Sequence, residues 1–198
     1  SRRGSRPWRR PHPYPERMRV PRTFVFIDLS GFTNYTGAFG DDAAGRLLSA
    51  FRTIVRQVAS ERGVRIAKWL GDGCMVVAVD QPDAISFTLD LRQRSADVCA
   101  PLTVRAGIAS GYALLFEGDD YIGSAVNMAS RLCDAAGKSQ VLVPAMGLER
   151  LPEGIAATPA GARTLAGFPG DVEVLDLTGA RHGAAIETSG LVDGSAAC

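Results

Sequence analysis

Residues 64–79 read VRIAKWLGDGCMVVAV. Two apolar, β-prone runs, Val64–Trp69 and Cys74–Val79, flank Leu70-Gly71-Asp72-Gly73, and Asp-Gly between such runs is a strong hairpin signal. Upstream, Thr23–Leu29 (TFVFIDL) is almost wholly apolar and reads as a buried central strand that Gly31 breaks. Between them, Leu47, Leu48, Phe51, Ile54, Val55, Val58 and Ala59 form a helical stripe within 43–59. Arg46, Arg52 and Arg56 lie off that stripe, and Gly63 ends the helix. Downstream, Pro82 opens a second helix to about Val98. Leu102–Phe116 follows as a long strand or strand pair broken near Gly111, then a helix over 123–136 and a strand over 140–143. Closing strands are expected at 155–158, 162–165 and 172–177. The order β-α-β-β-α-β with additions predicts an α+β, ferredoxin-like sheet with extra C-terminal strands.

Composition bounds the rest. The 198 residues suffice for one domain with a tail. The longest apolar stretch, Cys74–Val79, is far short of the about 20 residues a membrane helix needs, and no signal peptide opens the chain. Cys74, Cys99, Cys133 and Cys198 form no C-x-x-C pair, which fits a reducing, cytoplasmic setting. Residues 1–22 carry eight Arg and one Glu among prolines and are expected to be a basic flexible arm. Residues 179–198 are expected to be a second loose end. The body between, 23–178, is mildly acidic and does not read as a nucleic-acid binder. Lysine is scarce, only Lys68 and Lys138, so a Lys in an ordered strand is a chosen point charge.

Chemistry concentrates in two places. Asp28 ends the first strand and Asp72 sits in the tip of the hairpin expected beside it. Two carboxylates at a sheet rim are what Mg²⁺ requires, with waters and phosphates completing its shell. Ser30, Gly31 and Phe32, just after Asp28, would let backbone N–H groups approach phosphate oxygens. Lys68 is expected on one strand face with Val64 and Ile66, opposite Trp69. On the 123–136 helix, Val126, Ala129, Leu132 and Cys133 make one face, and Asn127, Arg131 and Asp134 the other. Asn127 and Arg131 are i,i+4 neighbours, able to address one ligand with an amide and a guanidinium. Gly137-Lys138-Ser139 is not a P-loop, because the glycine that motif needs is Leu132. The only histidines, His12 and His182, lie in the tails and leave no Ser/His/Asp triad.

FVFIDLSGFT (24–33), KWLGDG (68–73), VRAGIASG (104–111) and DYIGSAVNMASRL (120–132), with LAGFPGDVEVLDL (165–177), resemble in order and spacing the catalytic domain of the class III nucleotidyl cyclases. The resemblance implies the cyclase homology fold and an adenylate cyclase, a phosphorus-oxygen lyase that converts ATP to 3′,5′-cyclic AMP and pyrophosphate. It implies two divalent ions per active site, Mg²⁺ or Mn²⁺, on Asp28 and Asp72. Lys68 and Asp120 would read adenine, Asn127 would orient the ribose, and Arg131 would stabilise the α-phosphate. Guanine-specific members tend to carry Glu and a Cys-like residue in place of that Lys and Asp. It further implies a homodimer with two shared sites, one subunit supplying the carboxylates and the other the base, ribose and arginine contacts. One position departs: Ala166 and Phe168 stand near where some members hold a phosphate-binding Lys. The rivals are a guanylate cyclase or other metal-dependent nucleotidyl transferase on the same scaffold, and a non-catalytic nucleotide-binding dimer. A diguanylate cyclase would need a Gly-Gly-acidic-acidic-Phe hairpin, not Gly71-Asp72-Gly73.

Overall fold

A computed structural model describes residues 19–116 and 120–179. The elements in chain order are β1 (Arg19–Ser30), α1 (Phe32–Phe39), α2 (Asp41–Arg62), β2 (Arg65–Leu70), β3 (Gly73–Ala78), α3 (Gln81–Ser95), β4 (Thr103–Phe116), β5 (Asp120–Ile122), α4 (Ser124–Ala135), β6 (Val141–Pro144), β7 (Ile155–Thr164) and β8 (Asp171–Gly179). They build one sheet in the order β2-β3-β1-β4-β6-β8-β7, with β5 on β4. Each neighbouring pair among the first four strands is antiparallel, as the ferredoxin-like reading requires, and only β4 and β6 pair in parallel, across the α4 connection.

Both sheet faces are covered, which explains why the central strands read as apolar runs rather than alternations. On one face, Leu47, Phe51, Val55 and Val58 of α2 and Ala84, Ile85 and Leu91 of α3 pack on Val25, Ile27, Leu29, Cys74 and Val76. On the other, Ala125, Ala129 and Leu132 of α4 meet Phe24, Met75, Val77 and Ala109. Every residue of β3 is buried. Phe24, Phe51 and Phe87 are completely enclosed, each contributing about 1.5–3 kcal/mol by burial. α3 starts as its sequence demands, with Asp80 accepting from the Asp83 amide and Pro82 in the first turn. No helix among the described residues is long and apolar enough to cross a membrane.

Several boundaries differ from expectation. β1 begins at Arg19, so residues 19–22, expected in the basic arm, are strand. The reason is register: β4 runs unbroken through Gly111, and Arg19–Arg22 pair with Leu114–Gly111. The segments expected at 155–158 and 162–165 are one strand, β7, with an irregularity between Pro159 and Gly161. Lys68 does not share a face with Ile66. A register shift between Ile66 and Lys68 breaks the alternation, and Ile66 and Trp69 both pack on the α2 side, while Ala67 packs on the α4 side. The rest of the arm (1–18) and the tail from 180, with His12, His182 and Cys198, lie outside the described residues.

Candidate active site

Asp28 lies near the end of β1, directly across from Arg105 of β4. The Arg105 guanidinium donates to Asp28 Oδ2 from Nε at 2.8 Å and from Nη2 at 2.6 Å. Its Nη1 points to the carbonyls of Asp134 and Ala136, at 3.4 and 3.5 Å, where α4 ends. Carbonyls at a helix C-terminus carry partial negative charge, so Arg105 ties the carboxylate strand to α4 electrostatically.

The β2–β3 turn brings Asp72 to the same place. Gly73 is pressed against β1 so closely that a Cβ there would lie 2.2 Å from the Ile27 carbonyl oxygen and 3.3 Å from the Asp28 Cα. Only glycine allows this approach, and it sets Asp72 within hydrogen-bonding reach of the Asp28 carboxylate. Burial, followed by the Asp28 charge, pushes the Asp72 carboxyl above its ordinary value; Arg105 opposes this only in part. Two carboxylates held together against their repulsion, at a rim and short of enough fixed positive charge, form a donor set that fits a divalent cation. Among the described residues no cluster of three or more His, Cys, Asp or Glu surrounds them, so further ligands to such a cation would come from water, backbone or a bound phosphate.

Ser30 ends β1, and Gly31, left-handed at φ 94°, turns the chain into α1. Phe32, half-buried, packs against the core. The first amides of α1, which follows the Asp28 end of β1 by way of Ser30 and Gly31, have no acceptor within the helix.

Lys68 and Asp120, far apart in sequence, form an ion pair within one chain, each side chain about half exposed. β5 delivers Asp120 through pairing with Leu114–Phe116, and Tyr121 packs edge-on against Phe24 at 5.4 Å. On α4, Ala125, Ala129, Leu132 and Cys133 are buried, and Asn127, Arg131 and Asp134 are exposed together. Arg131 Nη1 lies 3.2 Å from Asp134 Oδ2. Two cavities among the described residues, of about 400 and 830 Å³, are lined by none of these side chains.

The structure thus unites the predicted residues as two sets within a chain: Asp28 with Asp72, and Lys68 with Asp120, while Asn127 and Arg131 share the exposed face of α4. Sequence reasoning missed Arg105. Its signal was an Arg inside the apolar, alternating strand VRAGI, a position that calls for an anionic partner across the sheet.

No family model matches the chain. It is 36% identical over 152 residues to an uncharacterised protein of Mycobacterium tuberculosis, covering 77% of this chain and 40% of that protein. It is 33% identical over 174 residues to a pH-sensitive adenylate cyclase of M. tuberculosis, covering 85% and 42%. With an adenylate cyclase of Streptomyces coelicolor it shares 36% identity over 126 residues, or 64% and 33%. The chain therefore spans about two fifths or less of the length of these relatives. Among solved structures, the adenylyl cyclase CyaB of P. aeruginosa superposes with a TM-score of 0.72 at 25% identity, covering 84% of this chain and 98% of that one. The guanylate cyclase domain from Catenaria anguillulae gives 0.67 at 18%, covering 82% and 98%, a likeness of fold alone.

Proposed function

We propose that this chain, a relative of proteins named adenylate cyclase with the fold of class III nucleotidyl cyclase catalytic domains, converts ATP to 3′,5′-cyclic AMP and pyrophosphate. The observation that carries the reading is the close packing of Gly73 on the Ile27–Asp28 backbone, which brings Asp72 to the rim beside Asp28, a carboxylate pair that fits a cation bearing a nucleotide phosphate.

In the reaction the ribose 3′-oxygen bonds to the α-phosphorus, the bond from that phosphorus to the pyrophosphate oxygen breaks, and the hydroxyl proton is released. Divalent ions on Asp28 and Asp72, Mg²⁺ or Mn²⁺, would supply phosphate neutralisation and a lowered pKa for the 3′-hydroxyl. The chain's own residues position and neutralise. The amides following Ser30, from Gly31 and Phe32 into α1, cradle phosphate oxygens. Lys68 donates to a ring nitrogen of adenine, and Asp120 accepts from its exocyclic amine. The ion pair between these two side chains supports a joint role in reading the base. Asn127 orients the ribose, and Arg131 meets the charge that grows on the α-phosphoryl oxygens.

The carboxylates sit at the rim formed by β1 and the β2–β3 turn, while Asn127 and Arg131 stand on the exposed face of α4. This supports a head-to-tail homodimer with two sites, each combining Asp28 and Asp72 of one copy with Lys68, Asp120, Asn127 and Arg131 of the other. The test is product analysis after incubation with ATP or GTP and Mg²⁺ or Mn²⁺. Cyclic AMP from ATP is the expected product. Cyclic GMP in preference would transfer the reading to a guanylate cyclase, and no product with either nucleotide would leave a binding dimer.

A further inference from the structure

We propose that Arg52 is a positioning residue for the turn that carries Asp72. This rests on the reading of Asp28 and Asp72 as the metal-binding carboxylates. Arg52 lies one residue beyond the buried Phe51 on α2, off the apolar stripe, yet it is half-buried and folds back over the β2–β3 turn. Its Nη2 donates to the Gly71 carbonyl at 2.9 Å, and its guanidinium lies 4.8 Å from the centre of the Trp69 ring. Arg56, one helical turn on, lies 5.2 Å from the same ring. The Arg52 Nε is buried and finds no partner. An Arg serving only solubility would keep all its donors in water, so the conformation is held by the other contacts.

Those contacts fall at the one place in the hairpin where they matter. Asp72 is flanked by Gly71, whose carbonyl Arg52 holds, and by Gly73, which is wedged against the Ile27 carbonyl. Asp28 repels Asp72. A free turn would relax outward and separate the carboxylates. Anchored at both glycines, the turn is held and Asp72 stays beside Asp28. Trp69 is the platform: the register shift in β2 turns its ring to the α2 side, where the two arginines meet it. Arg52 thus acts through Gly71, without touching substrate or metal.

The test uses Arg52→Met, Arg52→Lys, Trp69→Leu and Asp72→Ala in the full chain. Mn²⁺ binding is followed by the electron paramagnetic resonance of free Mn²⁺ in the presence of 3′-deoxy-ATP, which lacks the attacking hydroxyl. Arg52→Met is expected to weaken Mn²⁺ binding about tenfold, on the scale of lost support to a metal ligand. Arg52→Lys, whose ammonium still reaches the Gly71 carbonyl, should recover most of that loss. Trp69→Leu should move binding in the same direction as Arg52→Met, and serves alone if that variant does not fold. Amide exchange in Arg52→Met should quicken at 70–73 and not across 74–78. Mn²⁺ binding within twofold of the parent in Arg52→Met, equal losses in the Met and Lys variants, or exchange raised along the whole hairpin would each overturn the proposal. Asp72→Ala separates the two levels. If it keeps Mn²⁺ binding, the carboxylate reading fails; if it loses binding while Arg52→Met does not, only the role of Arg52 fails.

Discussion

Asp72 carries an unfavourable charge by design of its surroundings, and this has a stability signature. A carboxyl whose folded pKa is raised stabilises the fold fully below its unfolded value, near 3.8, and loses that contribution as pH rises through the raised value. At neutral pH without metal, ionised Asp72 therefore costs stability. Asp72→Asn should raise the melting temperature in EDTA at pH 7 by about 2–3 °C, corresponding to ~0.5–1 kcal/mol for a half-exposed group. The gain should vanish in acid, and the variant should lose cyclase activity. Thermal denaturation at the two pH values, beside an activity assay, checks both halves. The base pair of residues gives a second expectation. Lys68→Glu with Asp120→Cys should shift the ATP/GTP preference toward GTP, because unpaired polar groups then face adenine; an unchanged ratio of kcat/KM values would detach these residues from base reading. Asp28, Asp72, Lys68, Asn127 and Arg131 were legible as candidates from their places in a strand, in a turn or on a polar helix face, whereas Asp120 entered only through the family resemblance. Arg105 and Arg52 were not legible. Their partners, Asp28 and Gly71, lie 77 and 19 residues away, and the meaning of an arginine is set by what it crosses.

The elements were legible where periodicity is regular and illegible where it breaks. α2 declared itself through its stripe, and the hairpin through Asp-Gly. The register shift in β2 left no mark in composition, so simple alternation put Lys68 on the face of Ile66 and Trp69 on the opposite one. The start of β1 was hidden because Arg19–Arg22 resemble a basic tail until β4 supplies a partner. Close approach of elements makes a further prediction. At Gly107 in β4, a Cβ would lie 2.3 Å from both the Ala129 carbonyl oxygen and the Cys133 amide nitrogen of α4. Both are backbone atoms, so the helix itself must shift. Gly107→Ala should destabilise the protein by about 3 kcal/mol, at the upper end of overpacking costs. It should also impair turnover by moving Asn127 and Arg131. Gly45→Ala in α2, where a Cβ meets open space, is the control and should stabilise by ~0.5–1 kcal/mol. Chemical denaturation of the two variants measures the contrast.

For the whole molecule, the sheet order was readable from the succession of elements, because a βαββαβ chain has few ways to bury both faces of its central strands. How two copies meet was not readable in that way; it is the family resemblance that implies a shared site. The shared-site proposal has a quantitative consequence. Asp72→Ala and Arg131→Ala homodimers should each be inactive. A heterodimer of the two has one site with every named residue intact and one lacking both groups. Random exchange makes half of all dimers mixed, so equal amounts should recover about one quarter of parental activity if the sites are independent. Cyclic AMP formation after mixing measures this. Sustained inactivity, with subunit exchange shown, would rule out the shared site and favour one formed within a single chain.

The three buried cysteines equip the fold with its own clock. Burial pushes the thiols of Cys74 and Cys133 up to about 12 and that of Cys99 to about 11. Alkylation proceeds through the thiolate, so these three thiols are nearly inert to iodoacetamide at neutral pH while their sites stay closed. Reaction then waits for local opening, and its rate counts openings. Cys74 follows Gly73 at the carboxylate turn, and the Cys133 Sγ lies 3.8 Å from the Arg105 carbonyl oxygen, between α4 and β4. In a Cys198→Ser background, separate labelling rates at positions 74 and 133 should report how often the hairpin and the helix each lift away from the sheet. Both rates should slow when 3′-deoxy-ATP and Mn²⁺ draw the two sets of residues onto one ligand.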